Sequence, residues 1–178
     1  DALIVAEEAG RALASAPLIE TMVAARLLAD LGDGEWRAKI RDGSAIVVPA
    51  LREGTGSQLV PGAAVADAVL YLDGDAVGLV VQKRPLEAPA NMASTPLARV
   101  SLGDGKTLAR GAAARNAYLA AIEEWKLLTA AMLGGIARKA MELAAAYSRE
   151  RMQFGQAIGS FQGIAHPLAD SVTEVEGA

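Results

Sequence analysis

Cysteine is absent from this 178-residue chain, and His166 is its only histidine. The first absence removes disulfides and thiolate chemistry. The second leaves no multi-histidine metal site, so no metal centre is expected. Aromatic residues are scarce, at 4%, and with the Ala-rich runs this favours closely packed helices. A basic excess is also missing. The net charge is -4 and the pI near 5.1, whereas binding nucleic acid requires a positive field, so no nucleic-acid partner is expected. No uncharged apolar run reaches the length of a bilayer crossing, so no membrane role is expected. The chain opens on Asp1-Ala2-Leu3 with Glu7 and Glu8 close behind, and no signal peptide is visible. A cytoplasmic protein is the expectation. What is present is a globular composition, 52% hydrophobic and 21% charged, with length for one domain or parts of two or three.

Residues 2–31 read as helical, rich in Ala and Leu. Pro17 is the one interruption and starts a second helix running to about Leu31, ended by Gly32-Asp33-Gly34. Glu35–Arg41 fits one short helix, stopped at Asp42-Gly43. The pattern then changes to short runs rich in β-branched residues at Ala45–Leu51, Ala68–Leu72 and Ala76–Gln82, with Leu97–Leu102 a further strand. Asp73-Gly74 between two apolar runs is a hairpin signal. This region is expected to be a small antiparallel β-domain. From Ala112 helix returns. Tyr118, Ile122, Trp125, Leu128, Met132, Ile136, Ala140, Leu143 and Tyr147 recur at about 3.6 residues, the helical period. Ala130, Ala131, Gly134, Gly135 and Ala137 would let another helix approach closely. After a stop at Gly155, Phe161–Val175 reads as a further helix with Pro167 early in it, where proline costs least. The predicted fold class is α+β.

The segment Tyr147–Gln162, YSRERMQFGQAIGSFQ, gathers a cation, aromatic rings and an amide at the end of the long helix. Such groups suit a dinucleotide: the guanidinium fork matches pyrophosphate oxygens, and a ring can pack on ribose or adenine. The plainer alternative is that an arginine in a last helical turn offsets the helix dipole.

With Glu7-Glu8-Ala9-Gly10-Arg11 near the start, Arg151-Met152-Gln153-Phe154-Gly155 and Phe161-Gln162 near the end, and the order helices, β-domain, long helix, the chain resembles an acyl-CoA dehydrogenase. The resemblance covers nearly the whole chain. It implies residues 1–43 as the end of an N-terminal helical domain, 44–111 as the middle β-domain, and 112–178 as the start of a C-terminal helical bundle present only in part. It implies an oxidoreductase of fatty-acid or lipid metabolism, a flavoprotein with FAD as hydride acceptor and an acyl-CoA as substrate. It also implies a homo- or hetero-oligomer with FAD at subunit contacts. In such enzymes a carboxylate removes the α-proton, because that C–H is only weakly acidic, and the flavin carries the hydride chemistry.

The resemblance assigns FAD contacts, made to a neighbouring subunit, to Arg151 and Gln162, with Met152, Gln153, Phe154 and Phe161 alongside. It assigns substrate contact to the turn at Trp125 and Lys126; Trp125 also lies on the apolar stripe and suits plain core. Ala50–Ser57 resembles in part the family's TEP-x-x-GS segment, which lines flavin and substrate. Here Arg52 stands for Thr and Gly54 for Pro, and an ordinary glycine-rich loop is the plainer reading. Gln58-Leu59-Val60-Pro61-Gly62 is the best match to the W-I-[ST]-N-G signature, without its Trp or hydroxyl. The two signatures abut here, so either a strand-hairpin-strand is lost or a segment is closed up between Ser57 and Gln58. No catalytic base is visible. Where the family carries it on the long helix, about 29 residues before the signature Phe, or roughly eight turns, counting reaches Trp125. Glu124 is adjacent but rotated by about 100°, and Glu123 and Glu124 suit a solvated face. A subunit lacking a working flavin pocket, acting as a non-catalytic partner in a mixed assembly, is the alternative function. His166, Asp170 and Glu174 read as exposed or structural.

Overall fold

A computed structural model describes residues 1–83 and 86–177. Two positions within the expected middle domain, and the final residue of the expected third, lie outside the described residues. The elements in chain order are α1 (Ala2–Arg11), α2 (Leu18–Asp30), α3 (Gly34–Arg41), β1 (Val47–Pro49), β2 (Gly56–Val60), β3 (Ala68–Asp73), β4 (Ala76–Val81), β5 (Ala98–Leu102), β6 (Lys106–Arg110), α4 (Ala112–Glu150), β7 (Met152–Gln153), β8 (Gln156–Ala157), a 3-10 turn at Ile158–Ser160 and α5 (Gln162–Gly177). They form two compact units, Ser15–Leu127 and Asp1–Ala14 with Leu128 onward; α4 contributes to both.

The helix punctuation follows local chemistry. Pro17 stands at the cap of α2 rather than inside its first turn. Asp33 caps α3 through Oδ1, which accepts from the Trp36 N–H at 3.0 Å, satisfying one of the N–H groups that a helix start leaves unpaired. Lys39 pairs with Glu35 one turn away at 2.7 Å.

In the Ser15–Leu127 unit, a four-stranded sheet runs in the order β1-β3-β4-β6, and β2 and β5 form a second, two-stranded sheet. The pairings are antiparallel except β1 with β3, which run parallel. The expected hairpin forms, but its loop is Gly74-Asp75, one residue later than the Asp73-Gly74 signal, because Asp73 still pairs with Ala76. Val48, Ala50, Val60, Val69, Tyr71, Ala98, Val100 and Leu102 form the core. β5 alternates buried and exposed residues, as a strand with one face in a core should. Tyr71 lies over Gly78, its register partner, and a Cβ at Gly78 would strike the ring. The core side of α2 carries Ile19, Val23, Ala24, Leu27 and Leu28, and α2 packs on β1 and α3. Two strands had no sequence signal. β2 grows out of Gly54-Thr55-Gly56, which reads as loop, and β6 (KTLAR) has little β-branched character; pairing partners make both strands.

In the other unit, α1 meets α4 backbone to backbone. A Cβ at Gly10 would strike the Met132 carbonyl, and one at Gly135 would strike the Glu7 carbonyl. Arg11 grips Glu142 with both Nη atoms, at 2.8 and 3.1 Å. Arg138 reaches Glu7 at 3.2 Å and also pairs with Glu176 of α5. The Glu-Glu-Ala-Gly-Arg motif is therefore explained by helix packing: Glu7, Gly10 and Arg11 are its α4-facing members. The small-residue face expected of α4 is used at Gly135. The apolar stripe is buried at Tyr118 and Leu128, but Leu143 and Tyr147 are exposed. The described residues of this unit supply three helices and a hairpin, and they leave Leu143 and Tyr147 more than half exposed.

Candidate functional site

The end of α4 is a tight hairpin rather than a simple stop. The Arg151 N–H closes the helix on the Tyr147 carbonyl at 2.9 Å, and its own carbonyl accepts from Ile158 N–H at 2.8 Å. Between these bonds β7 and β8 pair Met152 with Ala157 and Gln153 with Gln156. The two-residue loop is Phe154-Gly155, with φ +53° and +82°. Positive φ at both loop residues is the backbone of a type I′ turn, whose twist matches the strands. Gly155 adopts it freely. Phe154 does so at a cost of roughly 1–2 kcal/mol, and the result is a ring held out from the hairpin tip, 92% exposed. Phe161 meets it edge to face at 6.0 Å. Gln162 opens α5, also exposed. Beneath the turn, Gly159 packs close to Ser148, the one buried polar residue among those described.

Arg151, Met152, Gln153, Phe154, Phe161 and Gln162 are thus gathered on one hairpin and the helix start after it. All but Phe161 are exposed, and Arg151 has no ion-pair partner among the described residues. An exposed guanidinium, two rings and an amide on one hairpin and the helix start after it are groups that suit the pyrophosphate and nucleoside portion of a dinucleotide. The hairpin had a sequence signal, a residue-Gly pair after a helix end, which reads equally as a helix stop.

Trp125 and Lys126 belong to the other unit and are committed to their own neighbours. The Trp125 indole N–H donates to Glu20 Oε1 at 3.1 Å, so the half-buried ring is anchored rather than plain core. Lys126 pairs with Glu123 at 2.7 Å. Glu123 is exposed, as a solvated face predicts, but Glu124 is partly buried and held by Arg26 at 2.7 Å. Neither glutamate is an unpaired base.

The segment matched to the flavin-ring signature is equally clear. β2 runs unbroken through Ser57-Gln58, paired with β5 from Gly56↔Leu102 to Val60↔Ala98. Val60, where the family signature carries a hydroxyl, is 0% exposed in the core. Gln58 turns back to donate to the Gly54 carbonyl at 3.0 Å. Gly62 is kept by packing as well as by its φ of +78°: a Cβ there would stand 2.7 Å from Pro17 Cβ and 2.9 Å from Val48 Cγ1. These side chains do not fit the contacts a flavin ring needs, whereas the hairpin fits the dinucleotide. His166, Asp170 and Glu174 are exposed on α5. Among the described residues there is no cluster able to hold a metal and no helix long and apolar enough to cross a membrane.

A family model described as acyl-CoA dehydrogenase, C-terminal domain, matches residues 111–178. The acyl-CoA dehydrogenase IpdE2 of Mycolicibacterium smegmatis is 32% identical over 184 aligned positions that take in all of this chain. The chain belongs to the acyl-CoA dehydrogenase family. Its α+β fold is the family's. The structure of the ChsE4-ChsE5 complex from Mycobacterium tuberculosis superposes with a TM-score of 0.86 at 25% identity, covering 99% of this chain and 57% of that one. A steroid acyl-CoA dehydrogenase, Tcur3481-Tcur3483, gives 0.83 at 28% identity, covering 98% and 56%. The chain spans about half the length of IpdE2, 54%, and about a quarter of the longer FadE34 of Mycobacterium tuberculosis, 26%, although both align with all of it. The IpdE2 alignment is only a few positions longer than the 178 residues of this chain, so that acyl-CoA dehydrogenase has no large hairpin in this span either.

Proposed function

We propose that this chain serves in the α,β-dehydrogenation of an acyl-CoA thioester with FAD as hydride acceptor, and that it lends the hairpin at Arg151–Gln162 to the dinucleotide of a neighbouring subunit. The observation that carries this is one hairpin holding both an exposed Arg151, without an ion-pair partner among the described residues, and Phe154, a ring held out at positive φ. Arg151 would hold pyrophosphate oxygens through its fork, Phe154 and Phe161 would pack on the nucleoside, and Gln162 would offer its amide, with Met152 and Gln153 bordering them. When bound, FAD supplies the hydride acceptor. Trp125 and Lys126 would border the acyl-CoA, Trp125 fixed by Glu20. This reading implies a cytoplasmic oligomer of acyl-CoA metabolism. It also implies the three-part division at residues 43/44 and 111/112.

The burial of Val60 and the tie on Gln58 favour a second reading, a non-catalytic partner in a mixed assembly. The ChsE4-ChsE5 neighbour is itself described as a complex, which supports that reading by analogy. A flavin spectrum of the full-length protein, purified alone and then mixed with a paralogue, separates the two. Stoichiometric FAD with dye-linked acyl-CoA oxidation by the lone protein overturns the partner reading. Colourless protein that gains flavin only on mixing overturns the self-sufficient enzyme. Arg151→Ala weakens FAD retention under both, and unchanged retention defeats the hairpin assignment.

A further inference from the structure

The segment Leu51–Gly56, which leads from β1 into the first residue of β2, is fastened along its length. Where it leaves β1, the Ala50 N–H donates to the Leu70 carbonyl at 2.8 Å. The Ala50 carbonyl accepts from the buried Tyr118 hydroxyl at 2.6 Å, and the same hydroxyl lies 3.1 Å from the Leu70 carbonyl. In mid-loop, both oxygens of Glu53 are gripped by Arg115, at 2.6 and 2.9 Å, and Arg115 Nη1 also donates to the Gly74 carbonyl at 2.6 Å. The Gly54 N–H donates to the Leu72 carbonyl at 2.8 Å, and the Gly54 carbonyl accepts from Gln58. Arg115 and Tyr118 are one turn apart on the same face of α4, so a single helix end sets both contacts.

A surface loop ordinarily keeps water as its partner and moves. This one is instead tied by two side chains of α4 to the neighbouring strands: Tyr118 joins Ala50, at the loop's start, to Leu70 of β3, and Arg115 joins Glu53 to the Gly74 turn. Only a guanidinium can satisfy two carboxylate oxygens and a carbonyl at once; a lysine ammonium has no such fork. Burial pushes the Tyr118 hydroxyl's pKa upward, against a smaller opposing effect of its bond to Ala50, so it stays a neutral donor.

We propose that Arg115 and Tyr118 are positioning residues that hold the Leu51–Gly56 loop as a fixed wall of the cofactor and acyl-CoA cleft. The inference rests on the functional reading above together with the partial resemblance of Ala50–Ser57 to the family's TEP-x-x-GS segment, which lines flavin and substrate.

The test is amide hydrogen exchange on the full-length assembled protein, read together with FAD affinity from flavin fluorescence, in Arg115→Lys, Tyr118→Phe and the swapped pair Arg115→Glu with Glu53→Arg. Exchange at residues 51–57 is expected to quicken about tenfold in each single variant, with α2 and β3 unchanged. FAD affinity is expected to fall alongside, and the swapped pair to recover both in part. Unchanged loop exchange overturns the clamp. Faster exchange throughout the Ser15–Leu127 unit reduces both residues to general stabilisers and also overturns it. A loosened loop with unaltered FAD affinity leaves the clamp standing but overturns the wall, and with it the placing of this loop at the cleft. Should Tyr118→Phe fail to fold, Glu53→Gln probes the Arg115 contact alone.

Discussion

Phe154 and Phe161 meet edge to face, ring centroids 6.0 Å apart and planes at 88°, with Phe154 in the left-handed region. The pair is worth about 1 kcal/mol and the backbone strain costs about the same. Phe154→Asn, which suits positive φ, is therefore expected to change stability by less than about 1 kcal/mol in urea denaturation, since loss and relief offset. FAD retention in the assembled protein is expected to drop. A variant that keeps its flavin would remove Phe154 from the cofactor contact.

Neighbouring glycines on α4 separate close packing from helix propensity. Gly135→Ala puts a methyl against the Glu7 carbonyl, while nothing lies near a Cβ at Gly134. The first is expected to destabilise by about 3 kcal/mol, because two backbones must part. The second is expected to be neutral, or stabilising by up to about 1 kcal/mol, as alanine is the better helix former. Gly10→Ala should behave like Gly135→Ala. Equal effects at 134 and 135 would contradict the α1–α4 contact.

Restoring the family's hydroxyl at the ring signature is expected to cost stability rather than restore flavin binding. Val60→Thr places an O–H in the core, and a buried hydroxyl without a partner costs about 1–3 kcal/mol. Thermal melting and a flavin spectrum of the variant check this together. A stable, flavin-bearing Val60→Thr protein would show that this strand face meets the cofactor.

Acid sensitivity follows from the carboxylates. The Arg115 hydrogen bond holds Glu53 below its ordinary value, and the Arg11 hydrogen bond does the same for Glu142. A carboxyl whose folded pKa is depressed stabilises the fold above its unfolded value and loses that contribution as pH falls through the folded value. Stability from these pairs should be level from about pH 7 to 5 and decline only below the ordinary carboxylate range, near 4.5. Arg11→Gln should flatten the acid limb of a denaturation-midpoint profile. Added salt should shrink the effect, because both pairs face solvent.

Much of the fold was legible because its signals are local. Pro17, Asp33 and Gly32 mark helix ends through their own backbone chemistry, Asp73-Gly74 signals a turn to within one residue of the loop that forms, and the period from Tyr118 onward needs no partner to be read. β2 and β6 were not legible, because Gly56–Val60 and Lys106–Arg110 become strands only by pairing with β5 and β4. The two-residue strands β7 and β8 escaped for the same reason.

The same division applies to the site. Sequence alone determined the family motif, the charged and aromatic residues at the end of α4, and the missing Trp and hydroxyl near Gln58, because these are matters of residue identity and spacing. Tertiary structure decided what each could reach. It turned an apparent helix stop into a hairpin that holds Phe154 out, committed Glu124 to Arg26 and Trp125 to Glu20, and buried Val60. It also tied Glu53 to Arg115, 62 residues away along the chain. Such pairings depend on packing between distant segments, and no local pattern encodes which partner a side chain will meet.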